Sequence, residues 1–149
     1  MKLLASALVV AAVLAGCGYG DDDDAQSTTT VEPATWSGTP RPAEDGTISV
    51  EGFNEYAESL PESERQPKPL AVEFLRPSEP YEVTTKMRTG GATVFVLRDN
   101  LEDDSVRAER HQLGFGLVSG GEWRLFTAQV AYQCQPNRGH QDFSPELCL

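Results

Sequence analysis

Histidine is the side chain that most readily exchanges a proton near neutral pH, and this 149-residue chain has two, His111 and His140. The alternation around His111 places it on the apolar side of a predicted strand, between Glu109 and Leu113. There it could act as a general base at the mouth of a pocket, with Glu109 or Tyr132 near it. A half-buried histidine that is hydrogen-bonded at a sheet edge explains the same pattern without catalysis, and we favour that interpretation.

The second histidine lies in a polar C-terminal segment. His140 and Asp142 are two residues apart, so in an extended segment both side chains point the same way. With His111 they could ligate a metal ion, or with Arg138 they could bind a partner or an anion. We favour a polar loop whose side chains hydrogen-bond the local backbone. The sequence therefore predicts no metal and no cofactor, and leaves His111, Arg138, His140 and Asp142 as candidate binding residues.

Two acidic clusters could in principle hold calcium. Asp21 to Asp24 are more simply a solvated spacer. The second cluster, within residues 99–104, lacks the glycine and the ligand spacing of a known calcium loop. We expect Asp103 or Asp104 to be a turn residue that leads into a strand at Ser105.

Most motifs that carry chemistry are missing. The chain has no Gly-x-Ser-x-Gly elbow, no phosphate-binding loop, no Cys-x-x-Cys and no closely spaced histidine pair. Its formal net charge is −11, which argues against a general nucleic-acid binder, because such proteins need a basic footprint. Catalysis by paired carboxylates stays open, but the sequence does not favour an enzyme.

The first residues form an export signal. Lys2 is followed by a run from Leu3 to Leu14 in which only Ser6 is polar. This run is too short for a stable transmembrane helix, which needs about 20 residues, and it fits the apolar region of a secretory signal. The segment Leu14-Ala15-Gly16-Cys17 resembles the lipobox of bacterial lipoproteins. An ordinary signal peptide with an accidental cysteine is the alternative.

The lipobox resemblance implies where in the cell the mature protein is located. Residues 1–16 would be removed, and Cys17 would become the first mature residue, linked through its sulfur to diacylglycerol in a palmitate-type anchor. Two acyl chains suffice for stable attachment. The protein would then be held on the extracytoplasmic face of the cell membrane.

A tether is predicted from residue 17 to residue 45. Its acidic, Ser/Thr-rich and Pro-rich composition shows no apolar periodicity and is typical of disorder. As a flexible coil its 28 residues after Cys17 would reach about 30 Å. Trp36 is the exception, and it could dock on the domain or dip into the membrane interface.

The remaining cysteines are Cys134 and Cys148, an even pair in an exported chain. A disulfide is the default for such a pair in an oxidising compartment. It would close a 15-residue loop, worth about 3 kcal/mol on the chain-entropy model, and would hold the C-terminal segment against the end of the last strand.

Residues 46–149 are enough for one small domain. Phe53, Tyr56, Ala57 and Leu60 have the spacing of one buried helical face, which predicts a short helix. Leu70 to Leu75 is predicted to be a first strand.

Two hairpins follow in the predicted domain. A turn at Gly90-Gly91 places Met87 opposite Val94 and Thr85 opposite Val96. A turn at Gly120-Gly121 gives the pairs Phe115–Phe126, Leu113–Ala128, His111–Val130, Gln112–Gln129, Arg110–Ala131, Gly116–Leu125 and Val118–Trp123. Gly114 and Gly116 are natural points for a bend.

A helix followed by a curved antiparallel meander resembles the cone-shaped domains of the nuclear-transport-factor-two-like superfamily. The resemblance rests on Asp104-Ser105-Val106-Arg107 opening one long strand and Trp123-Arg124-Leu125 beginning the next. The tail around Arg138 to Asp142 is similar to segments of uncharacterised lipoproteins from high-GC Gram-positive bacteria. The predicted fold is α+β: a short N-terminal helix on a curved antiparallel meander of four to five strands, with a C-terminal segment closed by a disulfide.

These features predict a membrane-anchored binding module of the cell envelope, whose ligand is an envelope protein, a cell-wall component or a small apolar molecule. The alternative is a small hydrolase or isomerase with a site around His111 on the concave face of the sheet. The shape of that face distinguishes two modes of binding. A sealed pocket lined by Val83, Val94, Phe115 and Phe126 would indicate a ligand binder, whereas a filled core would indicate an interaction surface.

Overall fold

The structure, a computed structural model, describes residues 34–149. They form an α+β domain with one antiparallel sheet in the order β1-β5-β4-β3-β2, open at both edges. No helix in this part of the chain has the length and apolar character needed to cross a membrane. The elements are β1 (Thr47–Ile48), α1 (Phe53–Ala57), a 3-10 helix (Glu62–Glu64), α2 (Pro67–Leu75), β2 (Glu82–Arg88), β3 (Gly91–Arg98), β4 (Val106–Leu117) and β5 (Trp123–Cys134).

Both helices lie between β1 and β2 in the chain, so the predicted N-terminal position of the helix is wrong. The predicted helical face is confirmed for Phe53 and Ala57, which are buried, and for Tyr56, which is partly buried. Leu60 is also packed against the core, but it lies beyond the end of α1 at Ala57. The core lies between the helices and one face of the sheet, because alternate residues of β3, β4 and β5 are buried with the apolar side chains of the helices.

The predicted strand over Leu70–Leu75 is wrong, because these residues belong to α2. Pro67 occupies the first helical position, where its fixed φ favours a helix and its missing N–H costs nothing. The buried side chains of α2 then follow helical spacing, with Leu70, Ala71 and Phe74 on one face.

The hairpin of β2 and β3 is confirmed, but its predicted register is wrong by two residues. Met87 lies opposite Ala92 and Thr85 opposite Val94. The turn therefore consists of Thr89 and Gly90, and Gly91 already belongs to β3. Gly90 has a φ of 70°, which favours glycine at that position.

The hairpin of β4 and β5 has the predicted register far from its turn and a different one near it. His111–Val130, Leu113–Ala128, Gln112–Gln129 and Arg110–Ala131 pair as expected. A bulge on β5 then moves Leu125, instead of Phe126, opposite Phe115, and places Arg124 opposite Gly116 and Trp123 opposite Leu117. Such an extra residue reverses which side chains face the core. As a result Phe126 is 58% exposed and Leu125 is buried.

The C-terminal segment is held where β5 ends. The predicted disulfide between Cys134 and Cys148 is present, with a Cα–Cα distance of 5.4 Å. Ser144 and Tyr132 exchange two backbone hydrogen bonds, so the segment returns alongside β5.

The side chain of Trp36 is docked on the helices. Its ring stacks on Phe74 and meets Phe53 edge-on, and its indole N–H donates to the Phe74 carbonyl at 3.1 Å. Thr39 donates to the same carbonyl at 2.8 Å. Packing contacts therefore begin before residue 46, where the domain boundary was predicted. The predicted signal peptide 1–16, lipidation at Cys17, the acidic run Asp21 to Asp24 and the tether up to residue 33 lie outside the described residues.

Candidate functional site

His111 and Glu109 form the most chemically suggestive pair among the described residues. They are two residues apart on β4, so both side chains lie on the helix-covered face of the sheet. His111 is only 9% exposed, and its Nε2 contacts Oε1 of Glu109. His111 lies opposite Val130 on β5, which confirms its predicted position on the core side.

The charges around Glu109 favour its ionised form. The hydrogen bond from His111 lowers the pKa of the Glu109 carboxyl group against the opposing effect of burial. The positive charge of Arg98, which lies opposite Glu109 on β3, acts in the same direction. Tyr132 lies opposite Glu109 on β5, and burial together with that carboxylate raises the pKa of its hydroxyl.

The other ring nitrogen of His111 is sealed from solvent. Nδ1 is buried and has no hydrogen-bond partner among the described residues. If Nε2–H donates to Glu109, Nδ1 carries the lone pair that a general base would use. In that tautomer the carboxylate orients an imidazole whose basic nitrogen is buried and has no polar partner among the described residues.

A depression of about 190 Å³ reaches this pair from the surface. Its lining includes two hydroxyl groups, those of Thr39 and Ser78, but neither hydrogen-bonds to His111 in the described part of the chain. A nucleophile hydrogen-bonded to the imidazole, which acyl transfer requires, is therefore missing there. The lining residues are Thr39, Leu75, Arg76, Pro77, Ser78, Arg98, Glu109 and His111.

The predicted binding residues of the tail have separate partners. Both ring nitrogens of His140 contact backbone carbonyl oxygens, of Asp142 at 2.8 Å and of Glu146 at 2.9 Å. The guanidinium of Arg138 lies 3.7 Å from a carboxylate oxygen of Asp104. The contact between His140 and Asp142 involves the backbone of Asp142 and not its carboxylate. This is the arrangement expected of a polar loop whose side chains hydrogen-bond the local backbone.

The protonation state of His140 follows from its contacts. A carbonyl oxygen can only accept, so both contacts are hydrogen bonds only when both ring nitrogens carry a proton. The bonds to Glu146 and then Asp142 raise the pKa of this imidazole above its ordinary value. The described tail is therefore stabilised by the imidazolium form.

One group of potential metal ligands occurs in the described part of the chain. The ligand atoms of Cys134, His140 and Cys148 lie within 4.8 Å of one another. The two sulfurs are bonded to each other, whereas a metal requires free thiolates. The group does not include His111 or Asp142, the partners of His140 in the predicted metal alternative.

Asp103 is a turn residue at the start of β4, as predicted from the sequence. A carboxylate oxygen of Asp103 accepts from the backbone N–H groups of Ser105 at 2.8 Å and Val106 at 2.7 Å. These two bonds lower the pKa of Asp103. The role of Asp103 in the loop before β4 is thus explained by its bonds to the local backbone.

Sequence reasoning did not single out the face of the sheet opposite the helices, which we call the outer face. The side chains of Phe95 and Phe126 lie on it, the latter against Gly116. Lys86 sits 5.1 Å from the centre of the Phe95 ring, and Gln112 and Gln129 lie opposite each other. The face includes Glu82, Thr84, Lys86, Arg88, Thr93, Phe95, Leu97, Arg110, Gln112, Phe126, Thr127, Gln129 and Ala131.

Of the two alternatives for the concave face, a sealed pocket lined by Val83, Val94, Phe115 and Phe126 is not formed. Val94 and Phe115 are buried in the core beneath the helices, and Val83 is partly buried beside them. Phe126 lies on the outer face instead. The sequence missed this because the bulge at Phe126 has no residue-type signal such as glycine at the extra position.

Comparison with known proteins finds no matching family model, no matching curated protein and no matching solved structure.

Proposed function

We propose that the protein is a lipoprotein of the cell envelope, anchored through Cys17, that binds a polar polymer on the outer face of its sheet. The observation that carries this proposal is the contrast between the two faces. Helices and aromatic side chains fill one face, whereas the other keeps aromatic, amide and hydroxyl groups accessible. This contrast supports binding through an exposed surface, the mode proposed for an interaction module.

The composition of the outer face favours a glycan chain of the cell wall as ligand. Phe126 offers an exposed apolar ring, and the amides of Gln112 and Gln129 offer both donors and acceptors. Lys86 and Arg110 add positive charge to this face although the whole chain carries −11. An open sheet is also shaped for an extended polymer rather than for a small apolar molecule, which needs an enclosing cavity.

Co-sedimentation with insoluble peptidoglycan tests the binding surface. Truncating both amides, in Gln112→Ala/Gln129→Ala, removes two sets of hydrogen bonds and is expected to weaken binding about tenfold. Gln66→Ala is the matched control, since this exposed glutamine lies before α2 and makes no capping bond. Equal binding by both variants, or no sedimentation of the wild type, would reject the glycan assignment.

Mass spectrometry of the mature amino terminus tests the anchor separately. The expected product begins at Cys17 and carries the mass of a diacylglycerol group. Cys17→Ser should be released from membranes while its domain stays folded. An unmodified Cys17 or a retained leader would overturn the anchoring proposal without affecting the binding experiment.

A second candidate function is hydrolysis or isomerisation at the His111–Glu109 pair. The observation in its favour is an imidazole oriented by a carboxylate beside Arg98 and an accessible depression. Replacing His111 by Gln keeps a similar volume and tests it with an activated ester as probe. Loss of turnover with an unchanged unfolding curve would support this alternative, and unchanged background hydrolysis would exclude it for esters.

A further inference from the structure

The strand β2 forms one edge of the sheet. It pairs with β3 on one side, and no described strand lies on its other side. All seven residues from Glu82 to Arg88 are in regular strand conformation, without a bulge against β3. Met87 is 61% exposed at this edge although its side chain is on the core face. A long, regular edge of this kind is a template for another strand.

The hairpin geometry determines which backbone groups are free. Arg88 and Gly91 close the two-residue turn, so they exchange hydrogen bonds with each other. Bonding alternates along an antiparallel pair. The N–H and C=O groups of Val83, Thr85 and Met87 therefore point away from β3, and the adjacent bond from Leu117 N–H to the Gly90 carbonyl agrees with this alternation.

We propose that two copies of the chain pair through β2, antiparallel, with the two-fold axis at Thr85. In this register the outward backbone groups of Thr85 meet those of Thr85 of the second copy. Val83 bonds with Met87 of the second copy, so all three outward residues are satisfied on each strand. The result is a continuous ten-stranded sheet, twice the five strands of one copy.

The side chains match in the same register. Glu82 lies opposite Arg88 of the second copy, and this pair of opposite charges occurs twice. Val83 lies opposite Met87 of the second copy, which covers the exposed Met87. A register centred on Lys86 would instead place two lysines opposite each other, and one centred on Thr84 would place Arg88 opposite Pro80, where it has no charge partner.

Lysine on an edge strand usually opposes pairing, but the side chain of Lys86 is directed elsewhere. Its ammonium lies 5.1 Å from the centre of the Phe95 ring of its own chain. Phe95 belongs to β3 and lies opposite Thr84, so Lys86 reaches inward over the sheet. The edge is therefore left open to a second strand.

Disulfide trapping in the full chain tests the register. Hydrogen-bonded antiparallel partners have Cα atoms about 5.5 Å apart, a distance that a disulfide spans. Thr85→Cys is expected to give a covalent dimer on mild oxidation, seen by non-reducing gel electrophoresis against the wild type. Thr84→Cys is the matched control, because its counterpart lies about 8 Å away at the strand spacing and rise. Absence of the Thr85→Cys dimer, or equal dimer from both variants, overturns the proposal.

A charge exchange provides a second measurement. Glu82→Arg places like charges opposite each other at two positions and is expected to weaken dimerisation about tenfold. The double variant Glu82→Arg/Arg88→Glu restores opposite charges and should restore the dimer, measured by light scattering with size-exclusion chromatography. A monomeric wild type, or a double variant no better than Glu82→Arg, refutes the pairing. Neither experiment depends on glycan binding or on lipidation.

Discussion

Replacing Trp36 by Ala is the sharpest test of the described fold, because this residue joins the N-terminal segment to the domain. The substitution removes two aromatic contacts, at centroid distances of 5.2 Å to Phe53 and 5.3 Å to Phe74. It also removes the hydrogen bond to the Phe74 carbonyl. Aromatic pairs contribute about 0.5–1.5 kcal/mol each and a hydrogen bond about 1 kcal/mol.

The expected loss for Trp36→Ala is about 2–3 kcal/mol in the free energy of unfolding, less than the 3–5 kcal/mol typical of a fully buried tryptophan, because Trp36 is partly exposed. Trp36→Phe keeps an aromatic ring but cannot donate a hydrogen bond, so about 1 kcal/mol is expected. Urea unfolding followed by far-ultraviolet circular dichroism measures both without relying on tryptophan fluorescence. Ordinary surface substitutions change the free energy of unfolding by less than about 0.5 kcal/mol. If Trp36→Ala changes it by no more than this, the docking of Trp36 is refuted.

Three further variants or treatments address the turn, the tail and the disulfide. Gly46→Ala is expected to lower the free energy of unfolding by more than about 2 kcal/mol, because Gly46 has a φ of 79° and a Cβ there would lie 2.5 Å from the Val130 carbonyl oxygen. The control Gly90→Ala has a φ of 70° but open space around its Cβ, and it should lower the same free energy by about 1 kcal/mol. Reducing the disulfide should lower the free energy of unfolding by about 3 kcal/mol. His140→Gln should remove a pH-dependent contribution to stability. The folded-state pKa of His140 is raised above 6.5, so this contribution is complete below pH 6.5 and is lost as the pH rises through the folded-state value.

The readout for all three is urea or thermal unfolding, and each has its own contradicting result. Equal losses for the two glycine variants would mean that the approach of Gly46 to β5 is not as close as described. An unchanged unfolding curve after complete reduction would mean that the tail contributes nothing through its covalent link. A wild-type advantage over His140→Gln that grows with rising pH would contradict the imidazolium contacts.

The pairing of strands was predictable where apolar and polar residues alternate along the strand and a two-residue glycine turn sets the register. The pairs from Arg110 to Leu113 follow from counting back from Gly120-Gly121, and they place His111 beside Glu109 on the core side. The same counting fails at Phe126, since a bulge inserts one residue without a compositional mark. The strand predicted over Leu70–Leu75 fails for a different reason, because Pro67 begins a helix that continues through these apolar residues.

The candidate site was predictable only in part, for a related reason. Residues two apart on one strand share a face, so the contact of His111 with Glu109 follows from local geometry. The contribution of Arg98 depends on the register of β3 against β4, which requires the intervening loop to be placed. The contacts of His140 depend on how the tail returns along β5, and no periodic pattern specifies that path.

The docking of Trp36 also determines how the molecule would respond to mechanical force. Among the described residues, Trp36 and Thr39 are the first whose side chains would bear tension from the proposed anchor at Cys17, and their bonds to Phe74 can break one after another. Residues 36–42, once detached, would span about 24 Å at full stretch. The load would then reach the backbone bond from Ala43 to Thr47 and, after it, the bond from Val130 to Gly46 where the sheet begins. The segment would thus detach under tension before the strands of the sheet separate.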